Sequence, residues 1–285
     1  MLDFYKNQYE KYICCEIKTL KNNENKCDDN LVAVLDYDKG WKLINNYILR
    51  NDREKNKGKL KIRKKKNRRI IIILESPHKK EYDIDNLTGY PALGSTGVNI
   101  NRGIEEIINK KLADVMETDK EYDIILMNAI QYQTSLGVNT KIFRDRIWIS
   151  LWLNNSMREE FIKRIKGYKP DIIINLCTKG NHSKDMLAIM NADETTLIGN
   201  KFIKSLNISN LIISNNKILL NNKIVCEIEK VNNLSRGYTL RKFVNNAIEE
   251  AFKNKIRLLN GPHPSSWKFE RNNELKKDVL CNFYI

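Results

Sequence analysis

The stretch Arg69-Ile70-Ile71-Ile72-Ile73-Leu74-Glu75-Ser76-Pro77 decides the fold. Five apolar residues, four of them β-branched, run without a polar interruption and then stop at a carboxylate, a hydroxyl and a proline. An unbroken apolar run of this length reads as a strand buried on both faces, the mark of a parallel sheet. Three further segments have the same form: YDIILMNAI at 122–130, KPDIIINLC at 169–177 and IRLLNGPHP at 256–264. Between them lie amphipathic stretches with helical spacing, at 98–112, 143–168 and 239–255. Strands alternating with helices predict an α/β fold with a central four-stranded, mainly parallel sheet flanked by helices.

Outward from this core, residues 1–69 read as an N-terminal helical extension with a basic segment. LVAVLDYDKGWKLINNYIL at 31–49 has helical spacing of its apolar residues, and KIRKKKNRR at 61–69 is densely cationic. The remainder, 70–285, is expected to form the α/β domain, with an insertion at about 185–232. Within it, KILLNNKIVCEIEK at 217–230 predicts a β-hairpin turning at Asn221-Asn222.

The chain has 285 residues, 41% of them hydrophobic, and a formal net charge of +15. That excess points to a polyanionic partner, with DNA or RNA the commonest. No apolar run reaches the roughly 18 residues of a membrane span, and the amino-terminal stretch lacks the apolar centre of a signal peptide. A cytoplasmic monomer without membrane contact is expected. The six cysteines, at 14, 15, 27, 177, 226 and 281, form no CxxC pair, so no metal or cofactor is expected.

In an open α/β sheet, ligands bind at the carboxyl ends of the strands. Those ends carry Glu75, Ser76 and His78; Asn128; Asn175, Cys177 and Thr178; and Gly261-Pro262-His263-Pro264-Ser265-Ser266-Trp267. A carboxylate, an amide, a histidine and a small-residue loop thus gather on one edge. Two of the three histidines are among them.

The order of these segments resembles the uracil-DNA glycosylase superfamily. LESPH at 74–78 matches its Gly-Glu-Ala-Pro-Gly type of first motif at Glu75 and Pro77. GYPALGSTG at 89–97 has the glycine and proline spacing of the thermostable bacterial class. LMNAI at 126–130 is similar to the context of the base-reading Asn, and GPHPSSW at 261–267 carries the His-Pro-Ser loop. The similarity spans roughly residues 70–180 and 240–270.

The resemblance implies a monofunctional glycosylase that flips a base from DNA and hydrolyses its N-glycosidic bond. Glu75 would orient or deprotonate the attacking water. His263 would donate to the pyrimidine O2, and Asn128 would bond the Watson–Crick edge. Ser265 and Ser266 would grip phosphates, Trp267 would wedge into the vacated stack, and Lys64, Lys65, Lys66, Arg68 and Arg69 would track the backbone.

The departures shape the substrate. Ser76 stands where the most active uracil enzymes have Asp. His78 stands where a Tyr excludes 5-substituted bases, and Ala92 where a Phe stacks on uracil. The four-cysteine iron–sulfur pattern is absent. A roomier site suits a 5-substituted pyrimidine such as glucosylated hydroxymethylcytosine, which anti-phage members of the superfamily excise. The alternatives are uracil, with Tyr90 restoring the stack, and a non-catalytic nucleic-acid-binding relative.

Overall fold

The computed structural model describes residues 26–55, 67–77, 81, 89–132, 134, 140–154, 157–180, 208–227, 229–231, 235–253 and 255–285. His78, Lys64, Lys65 and Lys66 lie outside the described residues, as does part of the insertion at 185–232.

Six strands form the main sheet. They are β1 (Asn30–Tyr37), β2 (Trp41–Ile44), β3 (Arg68–Leu74), β4 (Tyr122–Asn128), β5 (Ile172–Asn175) and β11 (Arg257–Asn260), in the order β11-β5-β3-β4-β1-β2. The four strands expected from their apolar runs, β11, β5, β3 and β4, are mutually parallel. β1 then adds antiparallel to β4, and β2 antiparallel to β1.

This edge corrects the expected helical extension. Residues 31–49 hold a strand pair, and the first described helix, α1 (Arg50–Lys55), begins beyond them. Asp38-Lys39-Gly40 is a turn, with φ of 55° at Lys39 and 139° at Gly40. That breaker interrupts what otherwise passes for helical periodicity. Once broken, the apolar run Leu31–Leu35 is too short for a helix of its own and, with two valines, suits a buried strand.

The isoleucines of β3 divide the core. Ile71 and Ile73 pack with α3 (Thr140–Asn154), α4 (Met157–Tyr168) and α5 (Leu240–Phe252) on one face. Ile70, Ile72 and Leu74 pack with α2 (Ser95–Lys111) and α6 (Lys277–Cys281) on the other. Strand alternation alone produces this split. Each fully buried Ile contributes roughly 1.5–3 kcal/mol of transfer free energy.

The predicted hairpin is present as β7 (Lys217–Leu220) and β8 (Lys223–Glu227), turning at Asn221 and Asn222 with φ of 50° and 62°. A further strand, β6 (Leu211–Ser214), precedes it through a second Asn-Asn turn, making a three-stranded meander. Ile218, Val225 and Cys226 bury its inner face against the α3–α5 side of the core. A separate short pair joins β9 (Glu229–Val231) to β10 (Ser235–Gly237). Among the described residues, no helix is long and apolar enough to cross a membrane.

Candidate functional site

The chain leaves β3 for β4 on one side of the sheet, then crosses back to β5 on the other. Connections that diverge in this way open a crevice at the carboxyl end of the first strand. Glu75 is the first residue beyond β3 and stands at that point. Its carbonyl accepts hydrogen bonds from the Ile130 amide (3.1 Å) and the Trp148 indole (2.8 Å), which fix its backbone.

Three groups from three other elements face the Glu75 carboxylate. His263 Nε2 lies 3.4 Å from Oε2, Arg144 lies 3.7 Å from Oε1, and the Thr178 amide donates to Oε2 at 3.5 Å. Burial opposes the charge of Glu75, but the facing His263 and Arg144 side chains, with the backbone amides of Glu75 and Thr178, together outweigh it and hold the carboxyl below its ordinary range. The Arg144 guanidinium is kept charged despite burial, because Asp145 and Glu75 both face it; its Nε donates to Asp145 at 2.9 Å.

His263 follows β11 through Gly261 and Pro262. A Cβ on Gly261 would come within 2.2 Å of the Phe283 ring, so only glycine lets the chain pass here. Pro264, Ser265 and Ser266 form a 3-10 turn. The Ser265 amide donates to His263 Nδ1 at 3.2 Å, and its hydroxyl oxygen lies 2.7 Å from the same nitrogen. With Nδ1 accepting, the ring proton sits on Nε2, facing Glu75. Burial lowers the pKa of His263, Glu75 partly offsets this, and Arg144 and Arg241 lower it further. The lowered pKa favours the neutral imidazole.

The turn is anchored from α2, where the Asn99 side chain donates to the Pro264 carbonyl at 2.8 Å. Ser265 and Ser266 remain exposed, with the Ser266 hydroxyl donating to the His263 carbonyl.

Asn128 ends β4 on the same edge, in register with Leu74. Strand alternation places it on the α2 side with Leu126, whereas Glu75 turns towards α3. Its side chain is fully buried and donates to Cys27 Sγ at 3.4 Å. Glu75 and His263 are thus brought together, and Asn128 stands beside them without touching either. The Ser76 hydroxyl pairs with that of Thr134 at 2.6 Å. The Tyr90 amide donates to the Glu81 carbonyl at 3.1 Å.

Three expectations are corrected. Trp267 is no wedge: it is 5% exposed, packs edge-on to Phe283 and donates from its indole to the Pro262 carbonyl at 2.9 Å. Ala92 is 1% exposed, inside the α2-side core, so its methyl does not widen an open pocket. Its φ of 62° turns its carbonyl to 1.9 Å from where a Cβ on Gly97 would lie, which explains that glycine. Arg68 and Arg69 start β3, at the end opposite Glu75. Arg68 pairs with Asp171 (2.7 Å) and Glu117 (2.5 Å), and Arg69 donates to the Tyr168 carbonyl. They close the amino edge of the sheet rather than the crevice.

Arg144, Arg241 and Asn99 escape the sequence reading as site residues. All three lie within helices, far in sequence from the main-sheet strand ends that form the site, and only packing brings them to the edge. Thr178 reaches Glu75 through its backbone amide, which its side-chain type does not reveal.

Comparison with protein families, with characterised proteins and with solved structures finds no match. The fold and the site themselves define the class. It is an α/β protein with a six-stranded mixed sheet that brings Glu75, His263 and Arg144 together at its carboxyl edge.

Proposed function

We propose that the protein is a monofunctional DNA glycosylase with a fold of the uracil-DNA-glycosylase type. The observation that carries this reading is the approach of His263 Nε2 to Glu75 Oε2, 3.4 Å apart at one strand edge. Hydrolysis of an N-glycosidic bond develops negative charge on the departing base and positive charge on the sugar. A neutral imidazole with its proton on Nε2 donates to the first, and an ionised carboxylate faces the second.

In the proposed reaction a nucleotide flips into the crevice, and its base spans the end of β3 between His263 and the Asn128 side. The C1′–N bond breaks and its electron pair passes to the base, where the His263 Nε2–H stabilises the oxyanion at O2. Such a donor is worth roughly 3–4 kcal/mol of barrier. Water, polarised by Glu75, adds to C1′ and yields its proton to the carboxylate. That proton returns to solvent, and the base anion takes one up. The products are the free base and an abasic sugar.

For the base we propose a 5-substituted pyrimidine, with glucosylated hydroxymethylcytosine of phage DNA as the specific candidate. Support comes from His78 at the position of the excluding Tyr and from Ser76 beside it. Uracil is the second reading, favoured by the burial of Ala92, which removes one source of extra room. The test is excision from DNA carrying uracil, hydroxymethylcytosine or glucosylated hydroxymethylcytosine, with alkali revealing abasic sites. Release of the glucosylated base ahead of uracil supports the first reading, and release of uracil alone supports the second.

A further inference from the structure

Asn128 is held from two directions by one short segment that precedes β1. Its Nδ2 donates to Cys27 Sγ, and both side chains are fully buried. Its carbonyl, with that of Ala129, accepts from Arg164 of α4 at 2.9 Å. Arg164 is in turn gripped by both carboxylate oxygens of Asp29, at 2.7 and 2.9 Å, and the Tyr168 hydroxyl donates to Asp29 at 2.7 Å. Cys27 is itself pinned: its amide donates to the Gln131 carbonyl at 2.8 Å, and it bridges in parallel to Gly89.

This support leaves an asymmetry. The donor end of the Asn128 amide is engaged by sulfur, while Oδ1 is buried and has no hydrogen-bond partner among the described residues. Buried side-chain acceptors are nearly always paired, so an unpaired one marks where a donor belongs. Burial, with Glu81 and Asp29 nearby, keeps the thiol protonated, so the sulfur that accepts is neutral and does not compete as an anion.

We propose that Cys27 is a positioning residue that fixes the Asn128 amide with Oδ1 towards the ligand, so that the site selects a base presenting an N–H at its edge. The inference rests on the base-reading role proposed for Asn128. Without the sulfur, the amide is free to turn over and present its NH2 instead, and the site then accepts a base whose edge offers only acceptors. An amino-bearing cytosine and an imide-bearing uracil both meet the requirement. 3-Methyluracil and N4,N4-dimethylcytosine, which keep no N–H at that position, do not.

Three variants test this in the full chain. Cys27→Ser keeps an acceptor, Cys27→Val keeps the shape without one, and Cys27→Ala guards against a misfolded Val variant. The Asn128 side-chain amide is followed by 15N NMR and assigned by its disappearance in Asn128→Asp. Slow amide exchange in wild type and Cys27→Ser is expected, with exchange at least tenfold faster in Cys27→Val and Cys27→Ala. Unchanged shift and exchange in both apolar variants would overturn the proposal. In excision, wild type and Cys27→Ser should reject the edge-methylated base, and Cys27→Val should narrow that selectivity at least fivefold; undiminished selectivity would also overturn it. If wild type releases no base from any DNA, the glycosylase reading fails, while the NMR result still decides whether sulfur fixes Asn128.

Discussion

His263 Nε2 and Glu75 Oε2 stand 3.4 Å apart although β5 separates their parent strands in the sheet. The loop after β11 must therefore lean across the end of β5 to reach Glu75. The Asn99 bond to Pro264 and the missing side chain at Gly261 make that path possible.

Glu75→Gln and His263→Ala are each expected to lower excision at least tenfold while DNA binding persists. Both groups meet charge that exists only in the transition state, so the loss falls on kcat rather than on affinity. Single-turnover excision beside a binding isotherm separates the two. Near-normal turnover in either variant would remove that residue from the chemistry.

The proton on His263 should be found on Nε2. With the Ser265 amide donating to Nδ1, 15N NMR of the free protein is expected to show Nδ1 unprotonated and Nε2 protonated at neutral pH. A protonated Nδ1 would mean that Nε2 has no hydrogen to give to a departing base.

Activity should fall on the acid side. Glu75 must be ionised, and its pKa is lowered because His263, Arg144 and the backbone amides of Glu75 and Thr178 together outweigh the burial that raises it. Removing the Arg144 charge leaves burial less opposed, so the pKa rises. Arg144→Gln is therefore expected to move the acid limb of the kcat profile to higher pH, and Arg144→Lys to restore it in part. The folded protein should respond in the same sense. A depressed carboxyl stabilises the fold above its ordinary range and loses that contribution as pH falls through the folded value. An acid limb unmoved by Arg144→Gln would show that Arg144 does not set the charge of Glu75.

Trp267→Ala should act on stability rather than on the DNA complex alone. A buried Trp packed on Phe283, with its indole satisfied, costs about 3–5 kcal/mol when truncated. Chemical denaturation measures this. A loss under about 1 kcal/mol, with weakened DNA binding, would return Trp267 to the wedge role.

Charge along residues 61–69 should divide by function. Neutralising Lys64, Lys65 and Lys66 is expected to flatten the salt dependence of DNA binding, by roughly 0.9 in slope for each phosphate that no longer has a cation beside it. Arg68→Gln should leave the slope unchanged and lower stability, because its guanidinium already bridges Asp171 and Glu117. Equal slopes in all variants would leave the lysines without a role at DNA.

Much of this architecture is legible in the sequence for a simple reason. Strands buried on both faces need unbroken apolar runs, and each such run ends where the sheet edge begins; Ile70–Leu74 followed by Glu75 shows both at once. The Asn221-Asn222 turn is equally plain, since consecutive positive φ values favour that residue. Residues 31–49 mislead because their apolar side chains fit a helical stripe and a strand pair alike, and only Asp38-Lys39-Gly40 separates the two. Trp267 misleads because its burial depends on Phe283, a neighbour supplied by tertiary packing. Arg144 is invisible for the same reason: nothing near it in the chain signals that Glu75 is across the crevice.

The central claim is hydrolytic removal of a base by Glu75 and His263. It is tested most directly by counting abasic sites formed in DNA that carries glucosylated hydroxymethylcytosine, hydroxymethylcytosine or uracil, with wild type and Glu75→Gln side by side in water enriched in 18O. The expected result is abasic sites in wild-type reactions, 18O on the sugar C1′ hydroxyl, and at least tenfold fewer sites with Glu75→Gln. Intact DNA of all three kinds after prolonged incubation with wild type, or abasic sites equally abundant with Glu75→Gln, would contradict it.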